Sequence, residues 1–519
     1  MTRDIIILLG IPVDNLTMDE TVEHIFSMVG HYQIDRKPKQ VVTVNVDFMV
    51  NTLSWRISSV RHPELLEILR KADLVTADGM PVVWASKLLG VPLKERVTGA
   101  DLVLRLAEEA AGRSKSIFFL GGKGDVGERA AALLKQQYPE LIVAGAEAPF
   151  VHTDGKALAN ADDEDVSIIN RINRSGADIL LIGFGNPKQE VWFERNRHRL
   201  KIPVSIGIGG TYEFITGSVA RAPVWMQKAG LEWIFRIIQD PGRLWRRYVI
   251  GFFKFGFMIL PAVLDHHYKK NLYKMKRKSK ASPGFEKNRY QGSAGGMIKV
   301  ITLPSPFDAA VVEDQKESIV NDAGNSDNTV LDLSRVDFID SSGIGLIVTL
   351  NRKLATDDKK LFLTGINKKI QRTFEMNRIY DLFKDHVYNN IDDVHSAVKE
   401  SELLPPFYYI AAKKSSDTLF NLYGTLDAAQ MAELEIEEIL NQIGTGNCIF
   451  NLTDLTFVDS SGIMLFLKIQ RQVAKLEKKF VVCGLNTNVS KMFQITRLDR
   501  LFSITVDTQA AEKLLKTPH

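Results

Sequence analysis

The sequence predicts an α/β protein: a mostly parallel N-terminal sheet with flanking helices, a basic amphipathic segment, and then two small, related α/β domains. Three observations support this. Apolar, strand-like runs alternate with helical patterns up to about residue 210. A nearly apolar run at 249–264 is bordered by lysines and arginines, and one stretch of about 110 residues occurs twice. The predicted divisions are 1–242, 243–280, a linker at 281–296, 297–400 and 405–519.

Length and charge restrict the class of protein. At 519 residues the chain is too long for one hydrophobic core, and its 66 Lys and Arg against 62 Asp and Glu give no reason to expect a nucleic-acid partner. Cys448 and Cys483 lie in apolar runs without metal or redox spacing, so we expect two buried thiols in a reducing cytosol and no cofactor. The apolar run at 5–9 is too short for a signal peptide and predicts a first strand, which leaves the N-terminal domain in the cytoplasm.

The N-terminal domain is predicted to alternate strands with helices along its length. The two clearest helical stretches are residues 100–111 and 126–138. The apolar runs are residues 41–46, 74–75, 116–120, 141–143, 179–182 and 204–208. Because helices separate these runs, we expect the strands to lie parallel in one sheet.

Polar residues accompany the ends of two of these strands. Thr43, Asn45 and Asp47 lie at the end of the first run, and Asp78 comes shortly after the run at 74–75. Ligands of open α/β sheets bind at the carboxyl ends of the strands, so these side chains are candidate ligand contacts. The residues alone also allow a simpler role for Asp78, as the N-cap of the helix that follows it.

A glycine-rich turn follows the run at 116–120. Gly122, Gly124 and Gly127 satisfy the G-x-G-x-x-G pattern between a strand and a helix, and Gly121 precedes them. Backbone N–H groups at such a helix start suit a diphosphate. The pattern does not distinguish NAD from a nucleotide sugar, and a tight turn with packing glycines is the alternative.

A second polar loop, GFGNPKQE at 183–190, follows another apolar strand. Asn186, Lys188 and Gln189 would suit contacts with a sugar or a phosphate. Asp163 and Asp165 form a D-x-D pattern, which binds metal ions in some enzymes, but no strand precedes them. We therefore expect a capped, solvated helix start there and no metal site.

The segment at 243–280 differs in character from the domain before it. It carries eleven Lys and Arg against one Asp, and these flank an apolar run of 16 residues, where about 20 are needed to span a bilayer. An interfacial helix with basic flanks on an anionic membrane surface is the favoured interpretation. A buried core helix followed by a basic linker is the alternative.

The C-terminal half contains an internal duplication. LSRVDFIDSSGIGLI at 333–347 matches LTDLTFVDSSGIMLF at 452–466, an offset of 119 residues. Each copy predicts an apolar strand, a DSSG sequence that opens a helix, and a further strand at 361–363 or 480–482. Two domains of one fold are therefore expected.

Seven segments in order resemble the WecG/TagA/CpsF glycosyltransferase family, and together they cover nearly all of residues 5–250. They are TVNVDF (43–48), ADLVTADGMPVVWASKLLG (72–90), ERVTGADL (95–102), FFLGG (118–122), GFGNPKQE (183–190), GIGGTYEFITGSVARAPVWMQKAGLEW (207–233) and RIIQDPGRLWRRY (236–248). The resemblance implies transfer of N-acetylmannosamine, or a related sugar, from UDP to a polyprenyl-diphosphate-linked N-acetylglucosamine, with inversion. It places this chemistry in cell-surface polysaccharide synthesis, on the inner face of the membrane.

The same resemblance assigns roles to individual residues. It makes Asp78 the base that deprotonates the acceptor hydroxyl, and it puts Thr43, Asn45 and Gln189 in the sugar pocket. Gly121, Gly122, Asn186 and Lys188 are further candidate substrate contacts. Arg236, Arg243 and Arg246 match family arginines in an appendage proposed to close over the active site, where a guanidinium suits phosphate oxygens. Contact with the membrane surface alone is the alternative role for these arginines.

Both repeats resemble STAS domains, the fold of anti-sigma-factor antagonists, through VDFIDSSG (336–343), LTFVDSSG (455–462) and LYGTLD (422–427). In that family a partner kinase phosphorylates the serine after the aspartate, which corresponds to Ser341 and Ser460, with Ser342 and Ser461 as competing sites. A kinase or an anti-sigma-like protein is thus an expected partner. The first copy reads LPSPFD at 303–308 and has diverged more. Alternatively, DSSG is only a helix cap and the repeats are docking modules.

Three classes of function follow from these observations. An inverting glycosyltransferase with regulatory STAS domains is favoured by the joint presence of Asp78, Asn45 and Gln189. The alternatives are a signalling protein that has lost catalysis and only binds a nucleotide sugar, and an NAD-dependent oxidoreductase. The last lacks a clear acidic residue after a second strand. The donor sugar, the polymer and a homo-oligomeric state stay open.

Overall fold

A computed structural model describes residues 4–54, 56, 59–153, 161–276, 286–291, 297–324, 328–356, 359–394, 407–414, 417–443 and 446–516. The described chain forms an N-terminal domain and two C-terminal repeats that pack against it.

The N-terminal domain is built on six parallel strands in the order β4-β3-β8-β7-β5-β6, so the predicted parallel sheet is confirmed. Five of the six strands are buried at all or all but one of their residues, as expected of a parallel sheet covered by helices on both faces, and the edge strand β6 is only partly buried. The strands are β1 (Ile5–Leu8), β2 (Ile11–Asp14), β3 (Lys39–Val44), β4 (Leu74–Ala77), β5 (Ser116–Gly121), β6 (Ile142–Glu147), β7 (Ile179–Gly183) and β8 (Val204–Gly207).

Within the described part of this domain, thirteen helices surround the sheet or follow it. They are α1 (Met18–Asp35), α2 (Val46–Thr52), α3 (Pro63–Lys71), α4 (Met80–Leu88), α5 (Gly99–Gly112), α6 (Val126–Gln137), α7 (Ala161–Ser175), α8 (Lys188–Asn196), α9 (Thr211–Ile215), α10 (Val224–Lys228), α11 (Glu232–Gln239), α12 (Pro241–Trp245) and α13 (Gly251–Lys276). A π-helical turn, Arg246–Ile250, joins α12 to α13.

The first predicted strand lies apart from the sheet. β1 is a strand, but it pairs antiparallel with β2 in a separate hairpin. The Asp14 carboxylate ties this hairpin to β4 by accepting a 2.8 Å hydrogen bond from the Val75 N–H. Ile5 and Ile7 point the other way, into the apolar core of the first C-terminal repeat. The hairpin therefore joins two domains.

Helix α13 carries apolar residues on two opposite faces. One face is buried against the N-terminal domain through Phe255, Met258 and Ile259. The other exposes Phe252, Phe253, Phe257, Leu260 and Leu264. Within the described residues, Arg246–Asn271 is long and apolar enough to cross a membrane by length and composition, with mean hydropathy 1.6 and a third of the window buried. The helix is thus longer than the apolar run that predicted it.

Each repeat forms its own five-stranded sheet, in the orders β13-β12-β11-β10-β9 and β14-β15-β16-β17-β18. The first contains β9 (Glu286–Gln291), β10 (Met297–Thr302), α14 (Ala309–Gly324), β11 (Asn328–Asp332), α15 (Ser341–Thr356), β12 (Leu361–Thr364), α16 (Lys368–Met376), α17 (Tyr380–Phe383) and β13 (Val387–Tyr388). The second contains β14 (Phe407–Lys414), β15 (Asp417–Leu426), α18 (Ala428–Glu433), α19 (Ile436–Ile443), β16 (Cys448–Val458), α20 (Ser460–Lys475), β17 (Phe480–Cys483), α21 (Thr487–Ile495), β18 (Ser503–Thr505) and α22 (Thr508–Lys516).

The predicted linker at 281–296 differs from the structure. Residues Glu286–Gln291 form β9, which pairs antiparallel with β10 at the edge of the first sheet. Charged and polar residues dominate this strand, EKNRYQ, so the apolar pattern that reveals buried strands is absent.

The duplication is preserved in the hydrogen bonds as well as in the sequence. Asp340 accepts from the Gly343 N–H at the start of α15 and from the Ala309 N–H at the start of α14. Asp459 makes the same two bonds, 119 residues later, to Gly462 and Ala428. One aspartate thus fixes two helix starts in each repeat, which confirms that DSSG opens a helix.

The two repeats dock on the N-terminal domain in different ways. In the first, α15 lies against β1, and a side chain at Gly345 would meet the Ile5 carbonyl. Arg352 and Arg378 extend this interface by donating to backbone carbonyls of residues 69, 70, 54 and 59. In the second, the start of α20 lies against α3, and Lys491 donates to the Val60 carbonyl at 2.6 Å.

Candidate active site

A cavity of about 1190 Å³ opens at the carboxyl edge of the parallel sheet, where the loops after β3, β4, β7 and β8 converge. It brings together eight of the residues singled out in the sequence: Thr43, Asn45, Asp47, Asp78, Asn186, Gln189, Arg236 and Arg246. These residues come from segments up to 203 positions apart, from Thr43 to Arg246. Their convergence is a property of the fold.

Asp78 follows β4 and faces the cavity. Its backbone N–H donates to the Val44 carbonyl at 2.8 Å, which fixes the loop to β3. Helix α4 begins at Met80 with Gly79 as its N-cap, and no side chain caps it. The helix-capping role considered for Asp78 is therefore wrong.

The surroundings of Asp78 favour its protonated form more than water does. Burial raises its pKa from 3.8 to about 6, and the nearby guanidiniums of Arg236 and Arg96 oppose that rise. A carboxyl with a pKa of about 6 is largely ionised at neutral pH and still basic enough to accept a proton. The site therefore holds a carboxylate suited to general-base chemistry.

Glu232 links the two arginines beside Asp78. Its carboxylate lies 3.2 Å from Arg236 and 3.4 Å from Arg96. Arg236 also donates to the Tyr248 hydroxyl at 3.3 Å and stacks over the Phe214 ring at 4.4 Å. Arg96 belongs to the family-like segment ERVTGADL (95–102). Its position in the sequence gave no indication that it would lie near Asp78.

Thr43 and Asn45 are held at the end of β3. The Thr43 hydroxyl donates to the Gly207 carbonyl of β8 at 3.2 Å. The Asn45 side-chain oxygen caps α2 by accepting from the Phe48 N–H, also at 3.2 Å. Since the Asn45 oxygen is engaged, its NH2 group is the part of that amide available to the cavity.

Gln189 connects two loops of the cavity wall. Its oxygen accepts from the Gly185 N–H at 3.2 Å and from the Gly209 N–H at 3.0 Å. Its NH2 group donates to Glu190 at 2.6 Å. All of these partners belong to the protein, so Gln189 has the contacts of a positioning residue.

Glu190 was not singled out in the sequence, yet it is one of the most perturbed carboxyls of the site. Its side chain is buried and accepts hydrogen bonds from Gln189 and Asn186. Burial raises its pKa from 4.5 to about 7, with the hydrogen bonds from Gln189 and Asn186 opposing the rise. Its place beside Gln189 in the chain was the only sequence signal.

The glycine turn contributes less to the lining of the cavity than the other loops do. Gly121 and Gly122 have φ values of +93° and +90°, and side chains there would meet Phe184 and Tyr212 respectively. Neither lines the cavity, although their neighbour Lys123 does. Lys188 is not among the lining residues either, and its Nζ lies 5.4 Å from the Phe150 ring centre. Close packing explains why glycine is needed in this turn.

The C-terminal arginines contribute unequally to the described site. Arg246 lines the cavity and lies 5.9 Å from the Trp245 ring centre. Arg247, next in the chain, pairs with Asp47 across the same cavity mouth. The side chain of Arg243 lies outside the described residues.

Several polar atoms at the cavity wall are buried and lack a partner within the described structure. They are Asn186 Oδ1, Glu213 Oε2, and Nε and Nη2 of Arg221, whose Nη1 binds Asp101 at 2.8 Å. Buried polar groups are nearly always hydrogen-bonded in native proteins. These atoms therefore mark where a polar ligand would complete the wall.

The D-x-D segment serves a structural purpose. Asp165 lies inside α7, is buried, and accepts bonds from Trp192, Arg195 and Asn196. The solvated helix start predicted there is wrong for Asp165, because a buried ion pair holds it. The Asp163 side chain lies outside the described residues. Across the part of the chain that the structure describes, no group of three metal-ligating side chains occurs. The two cysteines are free, and both are buried, as predicted for these thiols.

Both predicted phosphoserines begin helices that face the N-terminal domain. Ser341 is 4 % exposed and Ser460 is fully buried. The Ser460 hydroxyl and backbone N–H both donate to the Glu64 carboxylate of α3, at 2.7 and 2.9 Å. Of the competing sites, Ser461 is also buried and Ser342 is half-buried.

Comparison with known sequences places each part of the chain. The profile of the glycosyl transferase WecG/TagA/CpsF family matches residues 6–269, and that of the STAS domain matches residues 293–394 and 408–511. The N-acetylglucosaminyldiphosphoundecaprenol N-acetyl-beta-D-mannosaminyltransferase of Staphylococcus aureus strain MRSA252 is 32% identical over 248 residues, 48% of this chain and 90% of that protein. Its counterpart in strain MW2 is 31% identical over the same lengths.

Solved structures align to about a fifth of the chain. The anti-sigma factor antagonist SpoIIAA in its unphosphorylated form aligns over 22% of this chain and 100% of its own, at 20% identity and a TM-score of 0.20. A putative anti-sigma factor antagonist from Thermotoga maritima aligns over 21% of this chain and 95% of its own, at 15% identity and a TM-score of 0.19.

Proposed function

Because the chain belongs to the WecG/TagA/CpsF glycosyltransferase family and carries two STAS domains, we propose that it transfers N-acetylmannosamine from a UDP-sugar to a polyprenyl-diphosphate-linked N-acetylglucosamine. The staphylococcal relatives are named for the transfer of this sugar to the undecaprenol-linked acceptor. The observation that carries the proposal is Asp78, a carboxylate with a raised pKa beside Arg236 and Arg96 in a large polar cavity.

Asp78 acts as the general base. Its carboxylate removes the proton from the acceptor hydroxyl while that oxygen attacks the anomeric carbon of the donor. The bond from the anomeric carbon to the diphosphate breaks on the opposite face, so the configuration inverts and the nucleotide diphosphate leaves with the electron pair. General-base catalysis of this kind contributes about 10²–10⁴-fold.

Cationic side chains stabilise the leaving diphosphate. Arg236 is fixed by Glu232, Tyr248 and Phe214, so its guanidinium is oriented before substrate arrives. Arg246 lies at the same cavity and is more exposed, which suits a residue that closes over bound substrate. Arginine binds phosphate oxygens through two parallel hydrogen bonds and stays charged at every relevant pH.

The unpartnered polar atoms support binding of the sugar or the nucleotide. Asn186 Oδ1 and Glu213 Oε2 accept hydrogen bonds from hydroxyl or N–H groups, and Arg221 donates from two nitrogens. Gln189 holds the loops that present them, by its bonds to Gly185 and Gly209. The donor therefore meets a wall that is already ordered.

We propose that the enzyme acts as a peripheral protein on the inner face of the membrane. Helix α13 buries one apolar face in the protein and exposes the other, including Phe253 and Leu264. A helix packed along a soluble domain in this way suits the plane of the interface better than a path across the bilayer. Further lysines follow in the sequence at 270, 274 and 276, and positive charge of this kind favours anionic headgroups.

The STAS domains supply regulation in this proposal, through Ser341 and Ser460. A phosphate on Ser460 would place up to two negative charges against the buried carboxylates of Glu64 and Asp459. In the docked second repeat Ser460 is fully buried, and its hydroxyl and backbone N–H both donate to Glu64, so a phosphate would have to displace this contact. Phosphorylation by a serine kinase would therefore hold this repeat away from the catalytic domain and expose it to other partners.

A transfer assay tests the catalytic proposal. Membranes or detergent-solubilised lipid acceptor are incubated with radiolabelled UDP-N-acetylmannosamine, and the lipid product is analysed for sugar and anomeric configuration. We expect wild-type transfer with inversion and at least a 10²-fold loss in Asp78→Asn, while Asp125→Asn on the exposed glycine turn retains activity. Nucleotide-sugar binding without transfer by the wild type would support the non-catalytic signalling protein instead.

A further inference from the structure

A second cavity, of about 920 Å³, lies beside the active site along helix α13. Its floor is apolar and buried, formed by Val50 and Leu53 at α2 and by Met258 of α13. Phe257, whose side chain is 70% exposed, lies at its outer edge. We call this cavity the α13 groove.

The α13 groove is continuous with the catalytic cavity. Val50, Arg61 and Lys254 line both of them. Arg61 and Lys254 are exposed, so two cations stand where the polar cavity becomes apolar. Along this path come the Asp78 carboxylate, the two cations and then the apolar floor. They match in turn the sugar hydroxyl, the diphosphate and the hydrocarbon chain of a lipid-linked sugar.

We propose that the α13 groove binds the isoprenoid chain of the lipid-linked acceptor, with Arg61 and Lys254 holding its diphosphate. The inference rests on the proposed function, because only a lipid-linked acceptor needs such a path. Beyond the groove lie the exposed apolar side chains of α13, which the proposed membrane attachment places at the lipid surface. The isoprenoid chain can then run from the catalytic cavity to the membrane without exposing its apolar surface to water.

The first STAS domain forms the opposite wall of the α13 groove. Glu375 of α16, Tyr380 of α17 and Arg378 between them line it. Arg378 is fixed there by bonds to the Ser54 and Ser59 carbonyls, at 2.6 and 3.0 Å. This STAS domain is therefore part of the acceptor site as well as a neighbour of the catalytic domain.

Two phenylalanines of α13 allow a matched test. Phe257 and Phe253 are both exposed on the same helix, but only Phe257 lines the groove. Transfer is measured in detergent micelles, without a bilayer, using geranyl-diphosphate- and undecaprenyl-diphosphate-linked N-acetylglucosamine as acceptors. We expect the wild type to have a lower KM for the longer chain, because more of it contacts the groove.

If the isoprenoid chain binds in the α13 groove, Phe257→Ala should lower the ratio of the two acceptor KM values, short chain over long chain, by about tenfold. Phe253→Ala should leave this ratio unchanged. Arg61→Ala should raise the KM of both acceptors by a similar factor and leave the KM of the UDP-sugar unchanged. Equal chain-length preferences in Phe257→Ala and Phe253→Ala would overturn the inference while leaving the transferase itself intact. A wild type that transfers to neither acceptor would instead overturn the proposed function.

Discussion

At the scale of single residues, the catalytic cavity depends on carboxyl groups whose burial is not evident from the amino-acid sequence. Asp78 lies in the loop after β4 and Glu190 in the first turn of α8, and burial raises the pKa of both. Raised values are what a base working near neutral pH requires, and they carry a cost in stability because the charged form is disfavoured in the folded protein. Both consequences can be measured.

The first prediction concerns Asp78. With its pKa at about 6, kcat/KM should rise with pH through that value and level off above it, because only the ionised carboxylate accepts a proton. Initial rates from pH 5 to pH 8 at low acceptor concentration would show this. A flat profile across that range would contradict the assignment of Asp78 as the base.

Asp78→Asn should also stabilise the protein while it slows transfer at least 10²-fold. The folded-state pKa lies above 3.8, so this carboxyl lowers stability as the pH rises from about 4 to about 6. The amide carries no charge, and since one pKa unit corresponds to about 1.4 kcal/mol we expect a gain of about 1–3 kcal/mol at pH 8. Thermal unfolding of the two proteins at pH 8 tests the gain, and a lower Tm for the variant would contradict it.

Glu190 allows a separate test of stability against pH. Its folded-state pKa of about 7 exceeds the ordinary 4.5, so its contribution to stability is lost as the pH rises through that interval. In Glu190→Gln the dependence of Tm on pH between about 4.5 and 7 should be weaker than in the wild type. An unchanged slope would mean that this carboxyl does not titrate there.

At the scale of elements, a single residue difference between the repeats allows the equivalent helices α15 and α20 to dock differently. Gly345 of α15 lies against the Ile5 carbonyl of β1, while the second repeat has Met464 at the equivalent position, 119 residues later. Met464 is instead buried in the core of the second repeat. The single glycine is what allows the first repeat to approach the N-terminal hairpin so closely.

Two helical glycines give a matched prediction for this interface. Gly345→Ala places a methyl group against the Ile5 carbonyl and should destabilise the protein by about 1–3 kcal/mol. Gly30→Ala in α1 meets no atom within 4 Å and should stabilise it by about 0.5–1 kcal/mol, since alanine favours a helix. Urea unfolding of both variants measures the difference, and equal stabilities would show that α15 and β1 are not packed as described.

Much of this element order was predictable from the sequence, for a physical reason. Five of the six strands of the main sheet are mostly buried and apolar, and the two DSSG motifs carry a cap that acts within four residues. β9 was not predicted because its residues are polar. The position of β1 in a separate hairpin was not predicted because an apolar strand pattern does not indicate which sheet the strand joins. Arg96 and Glu190 could not be found as site residues because their roles depend on contacts between distant segments.

At the scale of the whole molecule, the second repeat is held by a bond that a phosphate would break. Ser460→Asp should release this repeat from α3, because it places a third carboxyl beside Glu64 and Asp459. Hydrogen–deuterium exchange at residues 63–71 and 460–467 should then increase strongly. Ser460→Ala is the control, since it loses one hydrogen bond of about 1 kcal/mol and should stay docked. Protection in Ser460→Asp equal to that of the control would refute this docking switch.

The N-terminal hairpin gives the molecule an unusual order of assembly. Ile5 and Ile7 leave the ribosome well before the core they complete, which includes Ile379 and Phe383, residues made some 370 positions later. Throughout synthesis of the catalytic domain, two apolar side chains at its start have no surface to cover them. A chain cut after α13 would keep them uncovered permanently, so the enzyme domain, although it has its own sheet and cavity, is finished only by the domain that follows it.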